Sequence, residues 1–292
     1  MLALCCTGSV RAQVAEHYFA LWGEGGASLM LCDNQQVTTL IGTGGGIGLG
    51  YELNYNRFIM QLGVHANSAL ERLAIADAEY TFPCFMDSER FTYTLLCHQQ
   101  QRKDNYTRVS LQTPLLFGGE FKHLYFLVGA KFNLHVYTVA NTSALYSASG
   151  IYEGMIDVFE HMPNHQFFTD HELTCQEKYR FNYDVLVSGE LGLNWNLQQI
   201  RYTKPKIRLA LYADYGLLDS HLPGDNMIID FGYMTTAKDL KTCIRTHNYL
   251  STNEAKTAIH HLQFGLKLTF LFGGKAHENH VCRFCPDYAP FR

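Results

Sequence analysis

Along much of this chain, apolar residues occupy every second position. Residues 122–140, KHLYFLVGAKFNLHVYTVA, place Leu124, Phe126, Val128, Ala130, Phe132, Leu134 and Val136 on one side. Tyr125, Gly129, Lys131, Asn133 and His135 fall on the other. A period of two is that of a β-strand, whose successive side chains point to opposite faces. The same alternation marks eight segments: residues 16–31, 45–56, 57–69, 106–118, 122–140, 181–196, 206–219 and 257–272. In the seventh, Ile207, Leu209, Leu211, Ala213, Tyr215 and Leu217 oppose Arg208, Tyr212 and Asp214. Most segments exceed an ordinary strand and reach the roughly 9–11 residues that a tilted strand needs to cross a bilayer.

The connections alternate in length. Segments two and three meet at NYNR, four and five at FGGEFK, and six and seven at LQQIRYTKP. The other four connections, residues 33–44, 70–105, 141–180 and 220–256, are long. All short turns then fall at one end and all long loops at the other, which is the asymmetry of outer-membrane barrels. A compact soluble domain has little room for several structureless loops of about 35 residues. The expected fold is all-β: an eight-stranded antiparallel up-and-down transmembrane β-barrel with four long extracellular loops.

The face opposite the apolar one carries charge. The expected interior network is Glu24, Glu52, Arg108, Lys131, Asp184, Glu190, Arg208, Asp214 and Lys267, with Gln112 and His135 beside it. A Lys or Arg facing lipid at the midplane costs about 2–4 kcal/mol, so these residues belong inside. An eight-stranded lumen is just filled by side chains, which predicts a salt-bridged interior and no pore. The competing reading is a soluble, lipocalin-like barrel whose charged face meets water. Tyr55, Phe58, Phe117, Trp195, Phe270 and Phe272 lie near the short-turn ends, where aromatic girdles sit.

Composition agrees. The 292 residues are 47% hydrophobic, with 18 Tyr and 19 Phe. Only 17% are charged, below the roughly 25% usual for soluble domains. A formal net charge of −4 argues against a nucleic-acid partner, which calls for a basic patch. No run of 18 apolar residues is present, and a barrel needs none. Leu2 to Cys6 read as the end of an apolar signal core, and Val10-Arg11-Ala12 as a cleavage site. The chain then divides into a signal-peptide remnant (1–12), the barrel (13–272) and a short periplasmic tail (273–292).

The last segment contains QFGLKLTF. It resembles the signal that the barrel-assembly machinery reads on a final strand, with Gln263, Gly265, Leu268 and Phe270 at its defining positions. The pieces GGGIGLGYELNY (44–55), VSLQTPLLFGGEF (109–121), YFLVGAKF (125–132) and LQFGLKLTFLF (262–272) look like those of small outer-membrane β-barrel proteins of Bacteroidota. The resemblance implies an OmpA/OmpX-like barrel in the outer membrane of a Gram-negative bacterium. It transfers no catalytic, cofactor-binding or metal-binding residue. Some such proteins are subunits of larger outer-membrane assemblies.

Candidate chemistry is sparse. Cys84 and Cys97 share one long connection and are the favoured disulfide, with Cys175–Cys243 a second pairing; free thiols are the alternative. His277, His280, Cys282 and Cys285 have a spacing that suits Zn²⁺, a small disulfide loop or idle thiols. His161, His165 and His171 suit a metal or an ordinary polar loop. The glycines of GTGGGIGLG (42–50) alternate with strand residues and lack the Lys-Ser/Thr of a phosphate loop. Asp219-Ser220-His221, and His65 with Ser68, are the nearest approach to a lipid-modifying active site, without a signature. The reading is a non-enzymatic accessory subunit with no cofactor, working through long extracellular loops. Its partners are outer-membrane lipid, the assembly machinery and other outer-membrane proteins. A lipid-modifying enzyme and a free-standing adhesin are the alternatives.

Overall fold

The computed structural model describes residues 15–86, 90–160, 167–197, 203–224, 227–231, 240–255 and 257–274. These hold eleven strands: β1 (Ala15–Cys32), β2 (Val37–Tyr55), β3 (Phe58–Ile75), β4 (Ala78–Met86), β5 (Thr92–Phe121), β6 (Leu124–Tyr152), β7 (Phe168–Asn196), β8 (Lys206–Gly216), β9 (Ile229–Phe231), β10 (Ile244–Thr246) and β11 (Ile259–Gly273). A single helical turn, Leu240–Cys243, precedes β10. Pairing is antiparallel throughout, in the order β3-β2-β1-β11-β8-β7-β6-β5, and β5 returns to β3. The sheet therefore closes on itself as a ring. Closure is made by β11 against β1, from Tyr18 opposite Gly273 to Cys32 opposite Ile259. At the short-turn end, Asn56 and Lys122 adopt φ of +61° and +58°, as tight two-residue hairpins require.

The ring is inverted relative to a soluble protein. Its outer surface carries Phe19, Leu21, Ile47, Leu49, Leu62, Val64, Leu111, Leu115, Phe126, Val128, Leu191, Leu193, Leu211, Leu266 and Leu268, all well exposed. Its inner surface carries buried Glu, Asp, Lys, Arg, Gln and Asn. Further from the short turns the polarity reverses along the same strands. On β5, Val109 and Leu111 face out and Arg108 and Gln112 face in, whereas higher up Tyr93, Leu95 and Cys97 are buried. There the strands enclose an apolar core. It includes Tyr106, Tyr146 and Phe168 from the sheet and Leu222, Ile229, Ile244 and Leu250 from the connection between β8 and β11.

Two expectations need correcting. The expected eight strands become eleven, because β4, β9 and β10 lie within residues 70–105 and 220–256, which alternation alone assigned to loops. β5, β6 and β7 also run far into those connections. Their upper halves keep the period of two but bury apolar residues, so a search for an apolar outer face passes over them. The first long loop is no loop. β1 and β2 are joined by residues 33–36, where the Val37 N–H donates to the Asn34 carbonyl at 3.0 Å. The Gln36 N–H donates to Asn34 Oδ1 at 3.0 Å, a side-chain-supported turn.

Gly48 shows why one glycine of the run is required. Its lumen side is covered by the indole of Trp22, and a Cβ there would lie 2.3 Å from Trp22 Cε2. Gly48→Val is expected to destabilise the protein by about 1–3 kcal/mol through overpacking. Ile47→Val, on the outward face, should be nearly silent. Urea unfolding followed by tryptophan fluorescence checks both.

Candidate functional site: the charged interior and its cap

The ring strands aim alternate side chains at a narrow axis, and the charges there pair in tiers. Nearest the short turns, Arg208 donates to Glu52 at 2.6 Å and to Glu120 at 3.3 Å. Its guanidinium lies 4.5 Å from the centre of the Tyr125 ring. In the middle, Lys131 donates to Asp214 at 2.7 Å and stands 3.7 Å from Glu24. His65 bridges Glu24 (3.4 Å) and Gln112 (3.0 Å). Lys267 meets Glu190 and sits 4.8 Å from the Trp22 ring centre. Higher still, Arg108 lies 3.3 Å from Glu71, which also meets His261 and accepts from Ser28 at 3.1 Å.

All the residues proposed for the interior from sequence are buried in the structure, including Gln112 and His135. Glu24, Lys131 and Asp214 come together, as do Glu52 with Arg208 and Glu190 with Lys267. Asp184 does something else: its Oδ1 accepts the backbone N–H groups of Val185 (2.7 Å) and Leu218 (3.0 Å). Sequence reasoning missed Glu71 and His261, the partners at the Arg108 tier. Both continue the lumen-facing parity of their strands, with Gln61, His65 and Asn67 below Glu71, and Gln263 and Lys267 below His261.

The residues of the assembly signal divide between the two faces. Gln263 is buried, accepting from Asn67 Nδ2 and donating to the Tyr212 hydroxyl, both at 2.9 Å. Leu268 is exposed on the outer face, and Phe270 is half-buried. Gly265 lets β11 close on β1, since a Cβ would lie 2.2 Å from the Gly25 carbonyl oxygen.

The expected disulfide is absent. Cys84 is exposed and Cys97 buried, and both are free thiols. The β4–β5 register sets Cys97 opposite Tyr80. Cys84 lies four residues further along β4, roughly 13 Å away at strand rise, beyond the roughly 7 Å span of a disulfide. Burial pushes the Cys97 thiol up to about 12, which keeps it unreactive at neutral pH. Cys175 and Cys243 are also free. Residues 1–12, the tail histidines and cysteines, His161 and His165 lie outside the described residues. His171 packs on Phe168 with ring centres 5.4 Å apart. Among the described residues no cluster of three or more His, Cys, Asp or Glu suits a metal ion. Asp219 and His221 do pair, at 2.6 Å, but Ser220 is buried and its carbonyl accepts from Arg108. His65 lies inside the ring, whereas Ser68 is exposed outside.

Above the charged tiers, the connection between β8 and β11 folds inward and is latched. Arg102 pairs with Asp104 at 3.3 Å and donates to the His247 carbonyl. Asp104 accepts the Tyr249 N–H at 2.7 Å. The Tyr106 hydroxyl accepts the Leu250 N–H at 3.3 Å, and the Tyr146 hydroxyl meets Thr246 at 2.9 Å. From β7, Glu177 receives His247 at 2.8 Å and also binds Asn248. Burial opposes the charge on Glu177, but hydrogen bonds from Tyr179, His247 and Asn248 outweigh it, so its carboxyl is held below the usual range.

Removing one partner of a buried pair strands the other charge. Arg208→Met is therefore expected to cost about 3–5 kcal/mol, and adding Glu52→Leu should recover most of it; urea titration of the refolded variants measures both. The latch has a definite pH sign. A depressed Glu177 contributes stability above its ordinary value of about 4.5, and loses it as pH falls through the lower folded value. Amide protection at residues 246–251, taken relative to the intrinsic exchange rate at each pH, should be high at neutral pH and lower in acid. Glu177→Gln should be weakly protected at both.

No protein-family model matches the chain, and no curated protein matches it.

Proposed function

We propose that this chain is a β-barrel of the outer membrane of a Gram-negative bacterium, built like the small outer-membrane barrels of Bacteroidota. Its eight ring strands cross the bilayer, with the short turns in the periplasm and the strand extension outside. One observation carries this reading: the ring's outer surface is apolar while its inner surface is filled with paired charges. In water that arrangement would expose dozens of apolar side chains and bury charges at a cost. In lipid both faces are satisfied, and a closed strand ring leaves no backbone edge unpaired.

The protein acts without chemistry of its own, as an accessory subunit of an outer-membrane complex. Tiers of ion pairs fill the lumen and the latched cap closes its outer end, so the barrel conducts nothing. The extension beyond the belt is a stage for contacts. Its outward tips carry exposed Met86, Phe91, Met155, Ile156 and Val158, and Ile156 is 95% exposed. Exposed apolar and aromatic tips suit a protein partner.

The test is reconstitution of the full chain into phospholipid vesicles. Expected results are a band that shifts on heating before electrophoresis, protease protection of the ring strands and no steady current across a planar bilayer. A protein that stays soluble without detergent, or carries a steady current, would sink the reading. Isolation from native membranes in mild detergent should return stoichiometric partners that are lost when Ile156 and Val158 become Asp.

A further inference from the structure

The short-turn mouth of the ring holds a cavity of about 360 Å³ that shares Glu120 with the lowest ion-pair tier. Asn54, Arg57, Glu120, Lys122, Lys206 and Glu16 line it. Asn54 projects from the end of β2 and is only 6% exposed, yet neither its Nδ2 nor its Oδ1 has a hydrogen-bond partner among the described residues. A buried amide left so is unfavourable until a water or a ligand that both accepts and donates reaches it.

The charges around it are unequal. Glu120 is already held by Lys206 and Arg208, each at 3.3 Å. Glu16 lies 3.9 Å from Lys206 and 4.0 Å from Lys204, and accepts from the Tyr18 hydroxyl at 2.7 Å. Arg57 and Lys122, on the two adjacent tight turns, enter no ion pair among the described residues. The Arg57 guanidinium instead lies 5.8 Å from the Phe121 ring centre. The two turns are neighbours because β3 pairs with β5, and the Glu120 N–H donates to the Arg57 carbonyl at 2.9 Å. The acids are thus neutralised, and two cations remain in the same cavity lining as a buried amide.

We propose that this mouth binds an anionic phosphate ester carrying a neighbouring hydroxyl. Arg57 and Lys122 hold the phosphate oxygens by charge-assisted hydrogen bonds. Asn54 donates its Nδ2–H to a third oxygen and accepts the hydroxyl on Oδ1. Such a group is presented by a glycerol-type phospholipid headgroup or by a soluble glycerol phosphate. The lipid source rests on the membrane reading above. In that reading Arg57 and Lys122 stand just beneath exposed Tyr55, Phe58, Phe117 and Phe121, at the depth of lipid phosphates. Phe58 and Phe117 stack with ring centres 6.3 Å apart, giving an acyl chain a flat surface above the phosphate.

The experiment uses the full chain in a neutral maltoside detergent. Dihexanoyl phosphatidylglycerol, sn-glycerol 3-phosphate and inorganic phosphate are each titrated by calorimetry. The variants are Asn54→Leu, whose amide has no hydrogen bond to lose among the described residues, and the exposed Arg57→Gln and Lys122→Gln. Each is expected to weaken binding about tenfold, the loss of one charge-assisted or buried hydrogen bond, with an unchanged unfolding midpoint. Binding of the lipid well above glycerol phosphate assigns the site to a headgroup, and equal binding of the two assigns it to a soluble ester. No binding by any probe, or equal affinity in wild type and all three variants, overturns the proposal. The two readings fail separately. A chain that binds glycerol phosphate but does not insert into vesicles keeps the site and loses the membrane. A chain that inserts but does not distinguish the variants does the reverse.

Discussion

The structure depends on one constraint: charges enclosed in a narrow strand ring must find their partners within it. With side chains filling the axis, little water is left to solvate Glu24, Glu52, Glu71, Glu190 or Asp214, and each unpaired ion there would be costly. Every one of them faces a Lys, Arg or His from a strand elsewhere around the ring. Arg208 joins β8 to β2 and β5, Lys131 joins β6 to β8 and β1, and Lys267 joins β11 to β7. These pairs run across the lumen, whereas the backbone ladder runs around it. A shift of one residue in any strand would turn its charges outward, so the ion pairs also help to fix the register.

The second organising feature is the reversal of polarity along β5, β6 and β7. Low on these strands the outward face is apolar; higher up the inward face is. A strand surrounded by water buries its apolar side, and a strand surrounded by lipid shows it. Under the proposed membrane reading, the reversal marks where lipid gives way to water. It also explains the cap, because an apolar interior at the end of the ring away from the short turns must be covered. The β8–β11 connection supplies Leu222, Ile229 and Leu250 for that purpose. Arg102 and Asp104 satisfy backbone groups of this inward-folded segment, at the His247 carbonyl and the Tyr249 N–H, and Glu177 binds its side chains.

These two features frame the proposed role. In that role, a ring filled by ion pairs along its axis and covered by an apolar cap at one end serves as a rigid post. What it presents at each end then matters most: exposed apolar tips on the extension, and a cationic mouth between the tight turns. Contacts are commonly positioned by loops and ends carried on a rigid scaffold.

The sequence by itself determined the strands of the ring, their inward and outward faces and the two tight turns. A period of two is a local property, and a Lys131 or Asp214 set between apolar neighbours can face only one way. The interior charges were legible for the same reason. Pairing was not: Glu71 finds Arg108 and His261 only because β3, β5 and β11 are brought around one axis. Nor were the strand extensions legible, since their alternation has the opposite sense and only the enclosed core shows which side is inside. The cysteines make the same point, for the register of β4 on β5 puts Tyr80 opposite Cys97 and carries Cys84 out of reach. Local periodicity depends on neighbours in the chain and can be read from it. Partners, caps and the mouth between two turns depend on which distant segments the closed sheet brings together, and only the tertiary structure decided those.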